Sequence, residues 1–143
     1  MSDFKFYVPV TVQYGDIDAQ WHVNHTRFIA YMEHARFEYY KRLGLFDGKS
    51  FLDLRGIIAD VHVSYLGPIV LGQEIRVGTR TARIGTKSIT FDYVIEDVKT
   101  GRALARAEIV VVAYDYRTQK SVPVPEDWRS IISEFEGRDF SNS

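Results

Sequence analysis

The sequence predicts an α+β fold, an antiparallel sheet of about five strands wrapped around one long helix at about residues 24–43. Three observations predict it. Apolar residues recur at spacings of three and four from Phe28 to Leu43, the period of a helix with one buried face. Four strand-like runs then follow almost without a break between Ile57 and Tyr116. The last three of these are joined by short glycine-containing turns, which only antiparallel neighbours permit.

The elements follow in order. Phe6–Gln13 carries β-branched Val8, Val10 and Val12 in loose alternation and reads as a first strand. Asn24 is a good N-cap, because its side-chain oxygen can accept from a first-turn N–H. The helix then presents Phe28, Tyr31, Met32, Ala35, Tyr39 and Leu43 on one face, with Glu38 and Arg42 placed to pair on another. Gly44 suits the left-handed C-cap that ends it. A loop over Asp47–Leu54 leads to strands at Ile57–Tyr65, Glu74–Ile84, Lys87–Asp97 and Ala103–Tyr116. In the third of these Ile89, Phe91, Tyr93 and Ile95 alternate with polar residues, as in a half-buried strand. In the fourth, Ala103, Ala105, Ala107 and Ala113 make a face small enough to lie beneath the helix. Gly85-Thr86 reads as a Gly-first two-residue hairpin and Lys99-Thr100-Gly101 as a hairpin ending in a bulge. Pro123 and Pro125 end the sheet, Glu126–Phe135 forms a short closing helix, and residues 137–143 are expected to fray.

Length and composition bound the function. At 143 residues, with no linker or repeat, the chain is expected to be a single domain over residues 1–143. It is 45% hydrophobic and 14% aromatic, enough to line a pocket as well as a core. Eighteen basic and nineteen acidic residues leave a net charge of -1 without a basic block, which argues against nucleic-acid binding. Cysteine is absent, which excludes disulfides, thiolate metal sites and a cysteine nucleophile. The amino terminus lacks the pattern of a secretion signal, and no apolar run approaches the ~20 residues of a membrane span. A soluble, cytoplasmic protein is expected.

The chemistry concentrates at the helix entrance, Tyr14-Gly-Asp-Ile-Asp-Ala-Gln-Trp-His-Val-Asn-His25. Asp16, Asp18, His22 and His25 lie within ten residues, and these are two of the four histidines in the chain. On electrostatic grounds alone, Asp16 and Asp18 can stabilise a turn and the helix dipole. A carboxylate facing unsatisfied first-turn N–H groups can do more. It can activate water or attack directly, while an N–H polarises a carbonyl. Asp18 is the candidate catalytic carboxylate, with His25 able to meet substrate, water or Asp18. The set suits acyl transfer to water and does not reveal the leaving group. Asp18, His22 and His25 are also possible zinc ligand types, but no His-Glu-x-x-His pattern occurs, and no metal or separate cofactor is expected. His34 and His62 read as packing or surface residues. A second cluster, Arg83-Ile-Gly-Thr-Lys-Ser88, sets two cations and two hydroxyls around a tight turn, able to hold phosphate or simply to sit as a solvated hairpin tip. Nucleotide-binding glycine motifs and the Gly-x-Ser-x-Gly elbow are absent.

Tyr14-Gly-Asp-Ile-Asp18, His22-Val-Asn24 and Tyr31-Met-Glu33-His-Ala-Arg36 together resemble the acyl-CoA thioesterases of the hotdog fold, in the branch typified by 4-hydroxybenzoyl-CoA thioesterase. The resemblance extends over most of the chain. It implies a sheet curled around one long helix and pairing with further copies into a homo-oligomer, dimer or tetramer. It implies that Asp18 is the catalytic carboxylate and that a backbone N–H near His25 polarises the thioester carbonyl. Asn24 and His25 would orient the reacting groups, and Tyr14, Trp21 and His22 would border the substrate. Arg83, Gly85, Lys87 and Ser88 would approach the phosphates of coenzyme A, which enters as part of the substrate. The chain departs from the family at Trp21, where the family usually has glycine, so an indole stands at a place suited to unusual backbone angles. The alternatives are a thioesterase for acyl groups on a carrier protein, and a binding or scaffold module of the same fold that does not turn over.

Overall fold

A computed structural model describes residues 4–46 and 56–140; the loop expected at Asp47–Leu54 lies outside these. In chain order the elements are β1 (Tyr7–Val10), α1 (His25–Leu43), β2 (Gly56–Tyr65), β3 (Ile75–Ile84), β4 (Ser88–Asp97), β5 (Ala103–Asp115), β6 (Lys120–Ser121) and α2 (Glu126–Glu136). A 3-10 turn at Tyr14–Asp16 precedes α1. The strand order is β1-β3-β4-β5-β2 with β6 on β5, and every pairing is antiparallel. β2 is thus an edge strand although it comes second in the chain.

Each end of α1 is stopped by the predicted chemistry. Asn24 stays extended (φ -62°, ψ 140°) and its Oδ1 accepts from the Thr26 N–H at 3.0 Å. Gly44 turns left-handed at φ 76°, and its N–H bonds back to the last turn. Phe28, Tyr31, Met32, Ala35, Tyr39 and Tyr40 form the buried face, each large side chain contributing roughly 1.5–3 kcal/mol by leaving water. The expected Glu38–Arg42 pair does not form. Glu38 meets Lys41 at 3.5 Å, and Arg42 lies over the Phe135 ring.

The helix backbone comes nearest β3 and β1, not the alanine face of β5. Ala105, Ala107 and Ala113 are buried, but Ala107 stands opposite Tyr93 in the β4–β5 register, so the small residue leaves volume to the large one. β4 is also more than half-buried. Thr90, Val94 and Glu96 on its outer face are buried as well, and Phe4 and Tyr7 lie over that side at Val94. A Cβ at Gly78 would stand 3.0 Å from both rings and from Val94, so only glycine lets the segment lie down. Gly101 takes φ 72° in the β4–β5 hairpin, as a bulge requires. Gly85 does not take a positive φ, so its hairpin is not of the Gly-first type. There a Cβ would meet Ser88 Oγ at 2.9 Å, a close approach that favours glycine for space.

α2 closes the core beneath this sheet. Glu136, 7% exposed, accepts from the Tyr39 hydroxyl at 2.6 Å and from the Thr81 N–H at 3.1 Å. Arg129 donates to the carbonyls of Gly85 and Phe140, and Phe140 is buried. The tail expected to fray from Gly137 is therefore docked as far as Phe140, since an aromatic anchor and two hydrogen bonds offset its ordering entropy. Burial and the Glu136 carboxylate hold the Tyr39 phenol far above its usual range, so it remains a donor. Tyr39→Phe is expected to destabilise the protein by about 1–3 kcal/mol through a carboxylate left short of a partner, read as a lower denaturant midpoint with an unchanged slope.

Candidate active site

The segment before α1 folds into a tight hairpin. The Asp18 N–H donates to the His22 carbonyl at 3.0 Å, the Trp21 N–H donates to the Asp18 carbonyl at 3.0 Å, and Ile17 bridges Val23. This is the pattern of a three-residue turn whose last residue must be left-handed, and that residue is Trp21, at φ 65°. An L residue there costs roughly 1–2 kcal/mol. The indole is 78% exposed, so little packing repays the strain.

The two acids of the motif separate cleanly. Asp16 faces the protein, where its Oδ2 accepts from the Gln13 N–H at 2.9 Å and the Tyr31 hydroxyl at 2.7 Å, and Arg27 stands 3.5 Å from Oδ1. Burial and the Asp16 carboxylate raise the Tyr31 phenol well above its ordinary value, which keeps that donor protonated. Asp16 is structural. Asp18, half-buried, accepts from the Gln20 N–H at 2.9 Å through Oδ1 and from Asn24 Nδ2 at 3.2 Å through Oδ2.

Asn24 therefore acts twice, capping the helix with its oxygen and steering Asp18 with its nitrogen. The His25 imidazole has no bond to Asp18; it is exposed and lies edge-on to the Tyr65 ring, 6.1 Å between centroids. The Tyr65 hydroxyl donates to the His25 carbonyl at 3.0 Å, tying the end of β2 to the start of α1. Asn24 fills the Thr26 N–H, and the Arg27 N–H turns back to the Asn24 carbonyl at 2.9 Å. Among the described residues the His25 N–H has no acceptor, and no acid occupies the first turn of α1.

These groups border an open cleft of about 400 Å³, lined by Asp18, Gln20, His22, His25, Phe28 and Tyr65 with the adjoining 66–68 loop. The cleft is thus lined both by the Asp18 carboxylate and by His25, the first residue of α1, whose backbone N–H is unbonded among the described residues. That combination can activate water against a carbonyl while receiving the charge that develops on oxygen. Among the described residues no group of three His, Asp or Glu side chains is placed to hold a metal ion.

Other expected site residues lie elsewhere. Tyr14 and Trp21 are exposed and outside the cleft lining. The turn with Arg83, Gly85, Lys87 and Ser88 is at the far end of the sheet. Tyr65 stands opposite Ala105 but Ser88 opposite Val112, so the two ends are separated by seven residues of β5, ~23 Å. Within one chain the turn does not join the cleft. Arg83 instead pairs with Glu108 at 3.3 Å, and Lys87 is exposed. Gln20 and Tyr65 were missed from sequence. Gln20 contributes a backbone group that no side-chain motif reports, and Tyr65 arrives through a long-range strand placement. Trp21→Gly is expected to raise stability by up to about 1 kcal/mol by releasing the left-handed strain. Equilibrium denaturation measures it, and a less stable variant would show that the indole makes contacts outweighing the strain.

Comparison with known proteins identifies the family. The family model of the thioesterase-like superfamily matches residues 12–132. A thioesterase from Thermus thermophilus, solved in complex with coenzyme A and Zn, is 33% identical with a TM-score of 0.85, covering 96% of this chain and 98% of that one. The acyl-CoA thioesterase YbgC of Haemophilus influenzae is 27% identical over 89% of this chain and 93% of its own length. The long-chain acyl-CoA thioesterase FadM of Escherichia coli is 23% identical over 82% of this chain and 89% of its own. The antiparallel sheet around α1 is the hotdog arrangement that the sequence resemblance implied, and the chain belongs to the thioesterase-like superfamily.

Proposed function

We propose that the protein hydrolyses acyl-CoA thioesters to a free acid and coenzyme A, using Asp18 and the N-terminus of α1. The observation that carries this reading is the Asp18 carboxylate, held by Asn24 and Gln20 in the same cleft as the unbonded His25 N–H. Asp18 takes a proton from water as the water oxygen attacks the thioester carbonyl carbon. The carbonyl oxygen gathers negative charge against the His25 N–H, an interaction of the kind worth roughly 10²–10³ in rate. Collapse breaks the C–S bond, and the coenzyme A thiolate leaves and takes up a proton. Direct attack by Asp18 through a mixed anhydride uses the same two groups. The relatives named as acyl-CoA thioesterases support coenzyme A as the leaving group.

The site is completed by a second copy of the chain. β2 pairs only with β5 among the described residues, and Ile57, Ile58, Val61 and Tyr65 on it are each 39% exposed or more. An exposed apolar edge strand is a template for pairing. Antiparallel pairing of β2 with the partner's β2 sets the Tyr65 end of one chain beside the Gly56 end of the other. The partner's phosphate-binding turn, aligned with that Gly56 end, then comes to the mouth of this cleft. Arg83, Lys87 and Ser88 would act there in trans, and Tyr14, Trp21 and His22 would border the entering substrate.

The test is thiol release by the purified protein from a panel of acyl-CoA and acyl-carrier-protein thioesters, with light scattering on the same preparation. Expected are turnover of acyl-CoA in preference to acyl-carrier protein, and a dimer or larger. Tight coenzyme A binding with no thiol release from any substrate would assign the fold to a binding module instead.

A further inference from the structure

The exposed large apolar side chains fall into two sets. Ile57, Ile58, Val61 and Tyr65 lie on β2, the edge assigned above to a second copy of the chain. Every other one among the described residues lies in a turn or loop: Tyr14, Trp21, Leu66, Val70, Leu71 and Val98, each 44% exposed or more. The register places all of these at one end of the sheet. β1 ends at Val10 opposite Ile75, where β3 begins, and Ile75 stands opposite Asp97, where β4 ends. Tyr65, the last residue of β2, stands opposite Ala105 near the start of β5. The segments between are hydrogen-bonded side by side. The Asn24 N–H donates to the Asp16 carbonyl at 2.8 Å, the Val23 N–H to the Ile69 carbonyl at 2.8 Å, and the Val98 N–H to the Glu74 carbonyl at 3.0 Å. The Tyr14 turn, the Trp21 turn, the 66–74 loop and the β4–β5 hairpin therefore adjoin one another. The Asp18 cleft opens among them, with Leu66, Gly67 and Pro68 in its wall.

Two of these turns hold an apolar side chain in water by their own backbone geometry. The Gln73 N–H bonds to the Val70 carbonyl at 3.2 Å and Gly72 takes φ 88°, the turn form that sets Leu71 at the tip. Trp21 accepts a left-handed backbone and leaves its indole exposed. Neither arrangement gains anything in water. At the boundary between lipid headgroups and acyl chains both gain, since an indole buries its rings there while its N–H stays hydrated. Lys99 and Arg102 belong to the same end, and a Cβ on Gly67 would stand 3.2 Å from Arg102 Nη2, beside the cleft wall. Glu74 and Asp97 in the same turns offset these two charges, so attraction to a surface rests on the apolar side chains. Val70, Leu71 and Val98 stand at the ends of β3 and β4, strands separated from the β2 edge by β5.

We propose that this end of the molecule docks on a lipid bilayer, with Trp21, Val70, Leu71 and Val98 entering the headgroup boundary and the Asp18 cleft facing the membrane. The side chains stand on separate turns around an opening instead of lining one groove. A fluid surface takes up such separate points, whereas a folded partner would need a matching relief. The docking itself stands without the thioesterase reading. Its consequence for substrate rests on that reading: an acyl-CoA with a long apolar chain partitions into the same bilayer, so the cleft meets such thioesters where they concentrate.

The test floats the full-length protein with phosphatidylcholine vesicles on a density gradient and records tryptophan emission on the same mixture. Wild type is expected to float with the vesicles and its emission to move to shorter wavelength. Of the two tryptophans Trp128 is already buried, so the shift reports Trp21. Trp21→Phe is expected to remove it; a shift that survives comes from Trp128 and overturns the docking face. Leu71→Asp combined with Val98→Asp is expected to lower the partition coefficient about tenfold or more. Thiol release by that variant from an acyl-CoA in free solution is expected to match wild type, since neither residue belongs to the site. Added salt is expected to change flotation by no more than about twofold, because it screens charge and not apolar burial. Wild type that stays off the vesicles, release by salt, or a double variant that floats as wild type does overturns the docking face and leaves the thioesterase reading standing. So does a double variant whose subunit number falls in light scattering, because the tips would then bury one another between copies. Flotation with no thiol release from any thioester keeps the docking face and removes the thioesterase reading.

Discussion

The side chain of Asn24 is the constraint on which the site depends. One carboxamide closes the first turn of α1 with its oxygen and holds the Asp18 carboxylate with its nitrogen. The two bonds make the helix start and the carboxylate one unit, so wherever core packing sets α1, Asp18 follows. The cap contributes about 1 kcal/mol. A carboxylate beside the positive end of a helix adds ~0.3–1 kcal/mol. Together they are of the same order as the left-handed strain at Trp21, which is how so tight a turn persists with an indole where glycine would be relaxed. Strain kept by the surrounding structure is characteristic of functional turns.

The rest of the fold gives this unit something rigid to stand on and an opening to act through. Tyr39, Glu136 and Thr81 tie α1, α2 and β3 together on the far side of the core. At the near side the Tyr65 hydroxyl, the Tyr65 ring against His25 and Phe28, and the Val23–Ile69 hydrogen bond hold the cleft wall to the helix. The molecule is thus closed and heavily bonded at the C-terminal half of α1, and open where α1 begins. β2 extends the same asymmetry to the sheet, with one side paired to β5 and the other carrying apolar side chains into solvent.

Local signals carried much of this into the sequence. Helix period, Asn24, Gly44 and Gly101 placed α1 and the β4–β5 hairpin because each is decided by neighbours a few residues away. The division of labour between Asp16 and Asp18 was legible in part, since one acid before a helix suffices for its dipole. What could not be read was set across long separations. The helix packs nearest β3 instead of the alanines of β5, because aromatic bulk on α1 and β4 needed that space. Tyr65 reaches His25 only through the position of β2, forty residues away in sequence. The resemblance gave the Arg83–Ser88 turn a place on the coenzyme A phosphates, and in one chain the length of β5 holds it away from the acids. Gly85 illustrates a further limit, since a glycine favoured for space is indistinguishable in sequence from one favoured for its backbone angle.

The attack on the thioester runs through Asp18, and its replacement by asparagine is the most direct test. Asp18→Asn keeps the side-chain shape and one oxygen, which can accept from the Gln20 N–H or from Asn24 Nδ2 but not from both, and it removes the base and the nucleophile. The kcat for an acyl-CoA thioester is expected to fall by ~10²-fold or more, the scale of general-base catalysis, while coenzyme A binding measured by calorimetry changes no more than a few-fold. A variant that turns over at the wild-type rate would contradict the assignment of Asp18 as the reacting carboxylate.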